Sequence, residues 1–443
     1  MKEILLFGAG KSATVLIDYL LENAVSGQWR LTIVDADPEL AKAKLGDSEH
    51  GEAIGFDISL PDKRAAAIRR ADLVISMLPP VLHRLVAESC VEHARHLLTA
   101  SYVDEHMRSL AGQLEEKGIL FLCEMGLDPG IDHMSAMQLV DDIRRRGGTI
   151  HSFASHCGGL IAPESDDNPW HYKISWNPRN IVMAGSSGAV FRENGQTVSI
   201  PYHSLFEGSS VVDIPGMEPF GCYPNRDSLS YIALYGLEQT GSFLRTTLRH
   251  PDFMVAWNYV VKAGLTGEQP IHFPEGGLTY LQWLNSQLSK NMGLGSVDEL
   301  LESIAVKNTR DTVANLFGWL GLTSDEMVPL SARSSADILQ GMLESKLQLL
   351  PGDKDMIVML HEFGYQLDGK AHRVQSSLVV KGTDNRHTAM AQTVGLPLGI
   401  AARLILEGTI TMKGLRIPVY PEIYQPVLDE LATRGVRFEE RHS

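Results

Sequence analysis

The strongest constraint on this chain lies in its first 123 residues, where short apolar runs alternate with amphipathic ones behind a glycine turn, Gly8-Ala-Gly10. Residues 3–7 read as a buried strand, and residues 11–23 as a helix with Val15, Leu16, Tyr19 and Leu20 on one face. Further strands are expected at 31–34, 52–57, 72–77, 96–100 and 119–123, with helical runs reaching Val91 and covering 105–117. Strands that alternate with helices predict an α/β fold, a Rossmann-type doubly wound parallel sheet.

The glycine turn sits where such a sheet binds a dinucleotide. Gly8 permits the tight turn, Gly10 lets the backbone approach a pyrophosphate, and Ala13 keeps the helix close to the sheet. Lys11 and Ser12 open that helix, whose amino end offers N–H donors and a positive dipole to phosphate. Asp35, ending the second strand, is expected to hold the adenosine ribose hydroxyls. Its charge would repel a 2′-phosphate, and no arginine follows in Asp35-Ala-Asp37, so NAD is favoured over NADP. Asp57, at the end of the third strand, either meets the adenine or makes an ordinary strand-end turn. Ser76, Leu78 and Pro79 lie on the nicotinamide side or form a plain strand-to-helix connection.

Beyond residue 129 the pattern changes. Residues 151–155 and 181–184 look strand-like and are punctuated by Gly158-Gly159, Asn194-Gly195 and Pro224-Asn225. Leu281, Leu284 and Leu288 keep helical spacing. Ser296-Val-Asp-Glu299 and Thr323-Ser-Asp-Glu326 read as capping boxes that open helices. Residues 356–363 and 373–381 read as strands joined by an Asp368-Gly369 turn, and a long helix is expected near 389–406. The expected division is a cofactor domain over 1–128, with 383–443 packing back on it. A mixed-sheet α+β domain for substrate binding and dimerisation takes 129–265 and 352–382, and a small helical subdomain takes 266–351.

Composition narrows the partners. A net charge of −15 without a basic run excludes the electrostatic footprint of a nucleic-acid binder. No apolar run approaches the roughly 20 residues of a bilayer span, so no membrane is expected. The chain reads from Met1 straight into a strand, and Cys90, Cys123, Cys157 and Cys222 lack pairing motifs; a cytoplasmic location is the expectation.

The last strand of the first region runs into Glu124-Met-Gly-Leu-Asp-Pro-Gly-Ile-Asp-His133. Such an acidic turn puts a carboxylate at the mouth of a cofactor cleft, where it can move protons beside a hydride transfer. Read together, Thr99-Ala-Ser101-Tyr102, Gly126 to His133, His156-Cys157-Gly-Gly-Leu-Ile-Ala-Pro-Glu164 and Cys222-Tyr-Pro-Asn-Arg226-Asp-Ser228 resemble the saccharopine dehydrogenase family. So do Gly264-Leu265, Gly352-Asp-Lys-Asp-Met356 and Ala391-Gln-Thr-Val-Gly-Leu-Pro397. The resemblance is closest to the glutamate-forming branch, saccharopine reductase, and covers nearly the whole chain.

That resemblance implies an oxidoreductase of lysine metabolism. Its substrate, saccharopine, joins lysine and glutamate through one secondary amine. Hydride leaves the carbon on the lysine side, and the imine is hydrolysed to glutamate and aminoadipate semialdehyde, or the reverse reaction condenses and reduces them. The resemblance carries Asp128, Tyr102 and Cys157 to the reacting amine, and Ser101, Thr247, Arg226 and Arg249 to the substrate. It also implies a homodimer. Each residue has a plainer reading: Asp128 as a turn former before Pro129, Tyr102 and Cys157 as packing. Asp132-His133 and His156-Cys157 are adjacent pairs whose side chains diverge, so no metal is expected. Asp132 and His133 are read as helix capping and support. Two alternatives stand beside this reading: a carboxynorspermidine or other opine-type dehydrogenase, and a non-catalytic NAD-bound sensor.

Overall fold

The computed structural model describes residues 1–208 and 210–443. The chain forms two compact units. The first comprises Met1–Thr149, Leu367–Gly369 and Leu378–Glu439; the second comprises Ile150–Gln366, Lys370–Ser377 and Glu440–Ser443.

The first unit is built on a parallel sheet of β1 (Lys2–Phe7), β2 (Trp29–Asp35), β3 (Gly51–Gly55), β4 (Leu73–Ser76), β5 (His96–Thr99) and β6 (Leu120–Leu122). The order is β6-β5-β4-β1-β2-β3, and Gly414–Arg416 adds a seventh strand beside β6. Ile4 to Phe7 and Leu73 to Ser76 are buried throughout, as strands covered on both faces must be. The order reverses between β1 and β4, the switch point where such sheets bind ligands at their carboxyl ends. The helix α1 (Thr14–Glu22) follows β1 after a 3-10 turn at Lys11–Ala13, so the α-helix begins three residues later than the sequence suggests. The helix α2 (Pro80–Glu92) follows β4, and α3 (Ile131–Arg145) follows the acidic turn.

Residues past 378 complete this unit. Helix Ala389–Glu407 lies so close to α1 that a Cβ on Gly395 would come 2.7 Å from the Leu16 nitrogen, and one on Gly399 would come 2.5 Å from the Tyr19 ring. This helix is long and apolar enough to cross a membrane by length and composition, which corrects the expectation that no segment is. Its apolarity has a packing cause: it meets α1 as well as helix Pro421–Thr433 and is mostly buried. The first unit also runs to Thr149 instead of ending at 128, because α3 packs against Pro421–Thr433, where the Tyr424 hydroxyl donates to Asp141 Oδ2 at 2.6 Å.

In the second unit a mixed sheet contains β7 (Thr149–Ile161), β8 (Phe220–Pro224), β9 (Ser242–Arg249), β10 (Asp355–Leu367) and β11 (Lys370–Lys381). Asp368 and Gly369 both take positive φ, 51° and 76°, as a tight hairpin turn between β10 and β11 demands. The helices over residues 280–346 do not stand apart as a subdomain. Trp283, Leu284, Leu316, Phe317 and Leu339 share one core with Trp170 and with Phe253 and Trp257 of α4 (Pro251–Lys262). Two local expectations fail. Residues 181–184 are not a strand: Asn177 caps a short helix, Pro178–Val182, through the Arg179 N–H. Thr323 to Glu326 opens no helix. The carbonyls of Ser324 and Glu326 instead accept the Leu281 and Tyr280 N–H groups, both at 3.0 Å, and so cap helix Tyr280–Met292.

The Gly395 contact gives a stability test. Gly395→Val forces a branched side chain against the α1 backbone and should destabilise the protein by about 1–3 kcal/mol, read as a lowered urea midpoint. Gly112→Ala, where a Cβ meets nothing within 4 Å, is the control that should not.

Candidate active site

The carboxyl ends of β1, β2, β4, β5 and β6 bring most of the expected residues of the first unit together. At β1, Gly8 has φ +97°, and a Cβ there would sit 3.0 Å from the Met77 carbonyl oxygen, so the turn itself requires glycine. Gly10 differs. Its φ is −64°, and a Cβ on it would meet nothing within 4 Å. The fold therefore does not need glycine at 10. The open space in front of it, beside the Lys11–Ser12–Ala13 turn, is what a pyrophosphate needs, and Ala13 is buried as expected. Asp35 holds this turn: Oδ2 accepts the Ala9 N–H at 2.8 Å, and Oδ1 accepts the Asp37 N–H at 2.9 Å. The turn and the open space before it fit a dinucleotide.

Asp57 is fully exposed and closes a turn of its own, accepting the Ser59 N–H at 2.8 Å, a bond that holds its carboxyl below the usual range. The strand-end-turn reading describes it. Leu78 is half-buried and Pro79 exposed, the latter at the amino-terminal boundary of α2.

Ser76 and Ser101 meet through a residue that the sequence reading passes over. His83, in the first turn of α2, is buried; its Nδ1 lies 2.8 Å from Ser76 Oγ and its Nε2 2.8 Å from Ser101 Oγ, with Thr99 Oγ1 at 3.3 Å from Nε2. Burial pushes its pKa down to about 4, against a weaker opposing pull from Asp104, so the ring is neutral at pH 7. A neutral imidazole donates from one nitrogen and accepts at the other, and so ties the β4 loop to the β5 loop. One signal was available: His83 lies on the stripe of Val86, Ala87 and Cys90 that faces the sheet.

Beyond Ser101, the Tyr102 hydroxyl donates to Asp128 Oδ1 at 3.4 Å, a long hydrogen bond. Asp128 is half-buried in a stretch where residues 121–127, 129 and 130 are buried. The turn that presents it is very tight: Gly130 has φ +147°, and a Cβ there would fall 2.0 Å from the Gly126 carbonyl oxygen. The Gly126 N–H donates to the Pro129 carbonyl at 3.0 Å and the Ile131 N–H to the Gly126 carbonyl at 2.9 Å.

In the second unit, Cys157 of β7, Thr247 of β9 and Tyr223 of β8 lie side by side in register, on one face of the sheet. Cys157 is buried and Thr247 half-buried. Two residues on, Arg249 is buried with its guanidinium 5.2 Å over the Tyr172 ring, and Nη1 donates to the Leu248 carbonyl at 2.8 Å. Arg226 is exposed and adopts φ +50°, an uncommon backbone for a non-glycine residue. Arg179 is a structural link, pairing with Glu268 at 2.6 Å and Asp337 at 2.9 Å. His156, next to Cys157, points to the opposite face and bonds Thr246 Oγ1 at 2.7 Å. Away from these pairs, His171, His250 and Asp252 bring possible metal-ligand atoms within 4.8 Å of one another. There the His250 Nδ1 accepts the Asp252 N–H at 3.3 Å as a helix cap, and His171 bonds Asp166 at 2.6 Å.

A Rossmann sheet with this glycine turn, followed by a mixed-sheet domain, defines a class: two-domain proteins built on a dinucleotide-binding fold. Comparison with known proteins makes the assignment specific. Residues 4–122 match the Saccharopine dehydrogenase NADP binding domain and residues 126–436 the Saccharopine dehydrogenase C-terminal domain, so the chain belongs to the saccharopine dehydrogenase family. It is 36% identical over 445 residues to the mitochondrial alpha-aminoadipic semialdehyde synthase of Bos taurus, covering 99% of this chain and 47% of that protein. The chain thus spans about half the length of those relatives. With saccharopine dehydrogenase (NADP(+), L-glutamate-forming) of Saccharomyces cerevisiae it shares 32% identity over 452 residues and 99% of both chains. The solved apo structure of saccharopine dehydrogenase (L-Glu forming) from Saccharomyces cerevisiae superposes with a TM-score of 0.89 at 30% identity, over 100% of both chains. Homospermidine synthase of Legionella pneumophila in complex with NAD, at a TM-score of 0.57 and 9% identity over 100% of this chain and 91% of that one, shares the fold alone.

The depressed pKa of His83 has a consequence for stability. The unfolded ring takes up a proton near pH 6.5 and the folded one only near pH 4. Its contribution is therefore fully present above pH 6.5 and is lost as pH falls toward 4, about 3 kcal/mol in all. His83→Asn removes the titration, so urea unfolding of the variant should lose about that much less stability between pH 7 and pH 4 than the parent. An identical pH dependence in the two proteins would contradict this.

Proposed function

We propose that the protein catalyses the oxidative cleavage of saccharopine to glutamate and aminoadipate semialdehyde, or the reverse condensation and reduction, with NAD preferred. The observation that carries this reading is the Tyr102–Asp128 pair at the carboxyl ends of the cofactor sheet, in a chain that aligns end to end with a glutamate-forming relative. When bound, the nicotinamide ring supplies the hydride acceptor. The Asp128 carboxylate takes the proton of the secondary amine as hydride leaves the neighbouring carbon. The Tyr102 hydroxyl holds that carboxylate, and the pair then passes protons as water adds to the imine and the carbon–nitrogen bond breaks. The chemistry needs no thiolate from Cys157 of the second unit.

Saccharopine carries three carboxylates, and in a protein of net charge −15 the cations that hold them must be local. Arg226 suits a two-pronged carboxylate contact. Ser101 in the first unit, and Thr247 and Arg249 in the second, are further donors expected from the resemblance. The Saccharomyces cerevisiae relative is named for NADP(+). In this chain, however, the ribose end carries the Asp35 carboxylate, next in sequence to Ala36 and Asp37. A 2′-phosphate there would meet two acidic groups.

Reduced-cofactor absorbance with saccharopine tests the reading directly. The ratio of kcat/KM for NAD to that for NADP should exceed one, and Asp35→Ser should narrow it. No turnover with either cofactor would end the assignment, and a ratio below one would end the NAD preference alone.

Asp128→Asn keeps the shape but cannot accept a proton. Its kcat should fall by ~10²–10⁴-fold and one limb of the pH–rate profile should flatten, with cofactor affinity unchanged. Near-normal turnover across pH would return Asp128 to the role of turn former.

A further inference from the structure

We propose that Glu124, His133 and Asp132 form a buried polar brace that positions Tyr102 against Asp128; this rests on the roles given to that pair above. The three side chains are only 3%, 0% and 2% exposed. Glu124 Oε2 lies 2.8 Å from His133 Nε2, and His133 Nδ1 lies 3.6 Å from Asp132 Oδ2. Each end of the chain of contacts grips backbone beside one member of the pair. Glu124 Oε1 accepts the Val103 N–H at 3.0 Å, immediately after Tyr102. Asp132 Oδ1 accepts the Gly130 N–H at 2.6 Å, two residues after Asp128. The Glu124 N–H donates to the Ser101 carbonyl and the Met125 N–H to the Thr99 carbonyl, both at 3.1 Å. The β5 loop and the acidic turn are thus tied together at the peptide groups flanking the two side chains.

Two features point to positioning over stability. Glu124 sits at φ +59°, a left-handed backbone that a glutamate adopts only where its surroundings fix it. Buried ionisable groups are a poor source of stability, since well-packed apolar residues of the same volume commonly serve as well or better. What hydrogen-bonded groups supply that apolar ones do not is direction. A 3.4 Å contact such as Tyr102 to Asp128 depends on direction, because a displacement of about 1 Å at a reacting group can lower the rate by on the order of 100-fold.

The test uses the full-length enzyme with saccharopine and its cofactor. Glu124→Ala should lower kcat by about 10- to 100-fold. The KM for saccharopine and the cofactor dissociation constant should stay within about threefold, as expected when only orientation is lost. Glu124→Gln should recover most of the loss, because its amide oxygen still accepts the Val103 N–H and its amide nitrogen still reaches His133. Glu124→Ala added to Asp128→Asn should cost little more than Asp128→Asn alone, since the brace then has no base to position. His133→Gln gives a second route to the same comparison if Glu124→Ala does not fold. A loss that multiplies in the Asp128→Asn background, a change confined to KM, an unaffected kcat, or no recovery with glutamine would each overturn the brace. An active Asp128→Asn enzyme would overturn the role of Asp128 instead, and the two failures are distinguishable.

Discussion

Everything at the cofactor edge of the first unit depends on the register of β1 between β2 and β4. Phe7 lies opposite both Val34 and Ser76, and Ser76 lies opposite Thr99. Because the strands run the same way and end on one level, the next residues of each leave the sheet side by side. The Gly8 N–H reaches the Val34 carbonyl and the Met77 N–H reaches the Phe7 carbonyl, both at 2.8 Å. The glycine turn, Asp35, Ser76 and Ser101 are neighbours for this reason alone. A slip of one residue would turn each of these side chains to the opposite face of the sheet.

Such an edge concentrates polar groups next to a dry core. The fold meets this with hydrogen bonds that leave little to chance. His83 is neutral and bonded on both sides, each Asp35 carboxylate oxygen accepts one backbone N–H group, and Glu124 grips a backbone N–H and a histidine. Buried polar atoms satisfied in this way are strongly directional in a low dielectric. On the function proposed above, those same groups flank the places where a dinucleotide and an amine would lie.

Much of this was legible in the sequence. The cofactor sheet announced itself because its signals are local: apolar runs of strand length, glycines at the first turn and an acid at the end of the second strand. The tight hairpin at Asp368-Gly369 was legible for the same reason. Signals that need a distant partner misled or stayed silent. Ile181, Val182, Met183 and Ala184 form an apolar run too short to show a period, and the cap at Asn177 decided for helix. Thr323 to Glu326 has the spelling of a capping box, but its carbonyls serve a helix that begins at Tyr280. His83 becomes a site residue only when the ends of β4 and β5 are side by side. Glu124 was visible within its motif, but its grip on Val103 depends on a loop some twenty residues earlier in the chain.

The crossing of Gly130 over Gly126 fixes more than a conformation. With no room between the two backbones for even one carbon, the length of the connection between β6 and α3 acts as a ruler. One residue added within it would either break the crossing or turn α3 by about 100° about its axis, swinging Asp132 and His133 off the side they now face. A segment of this kind tolerates exchange of side chains at some positions and no change in their number. Its spacing is itself part of what the gene must preserve.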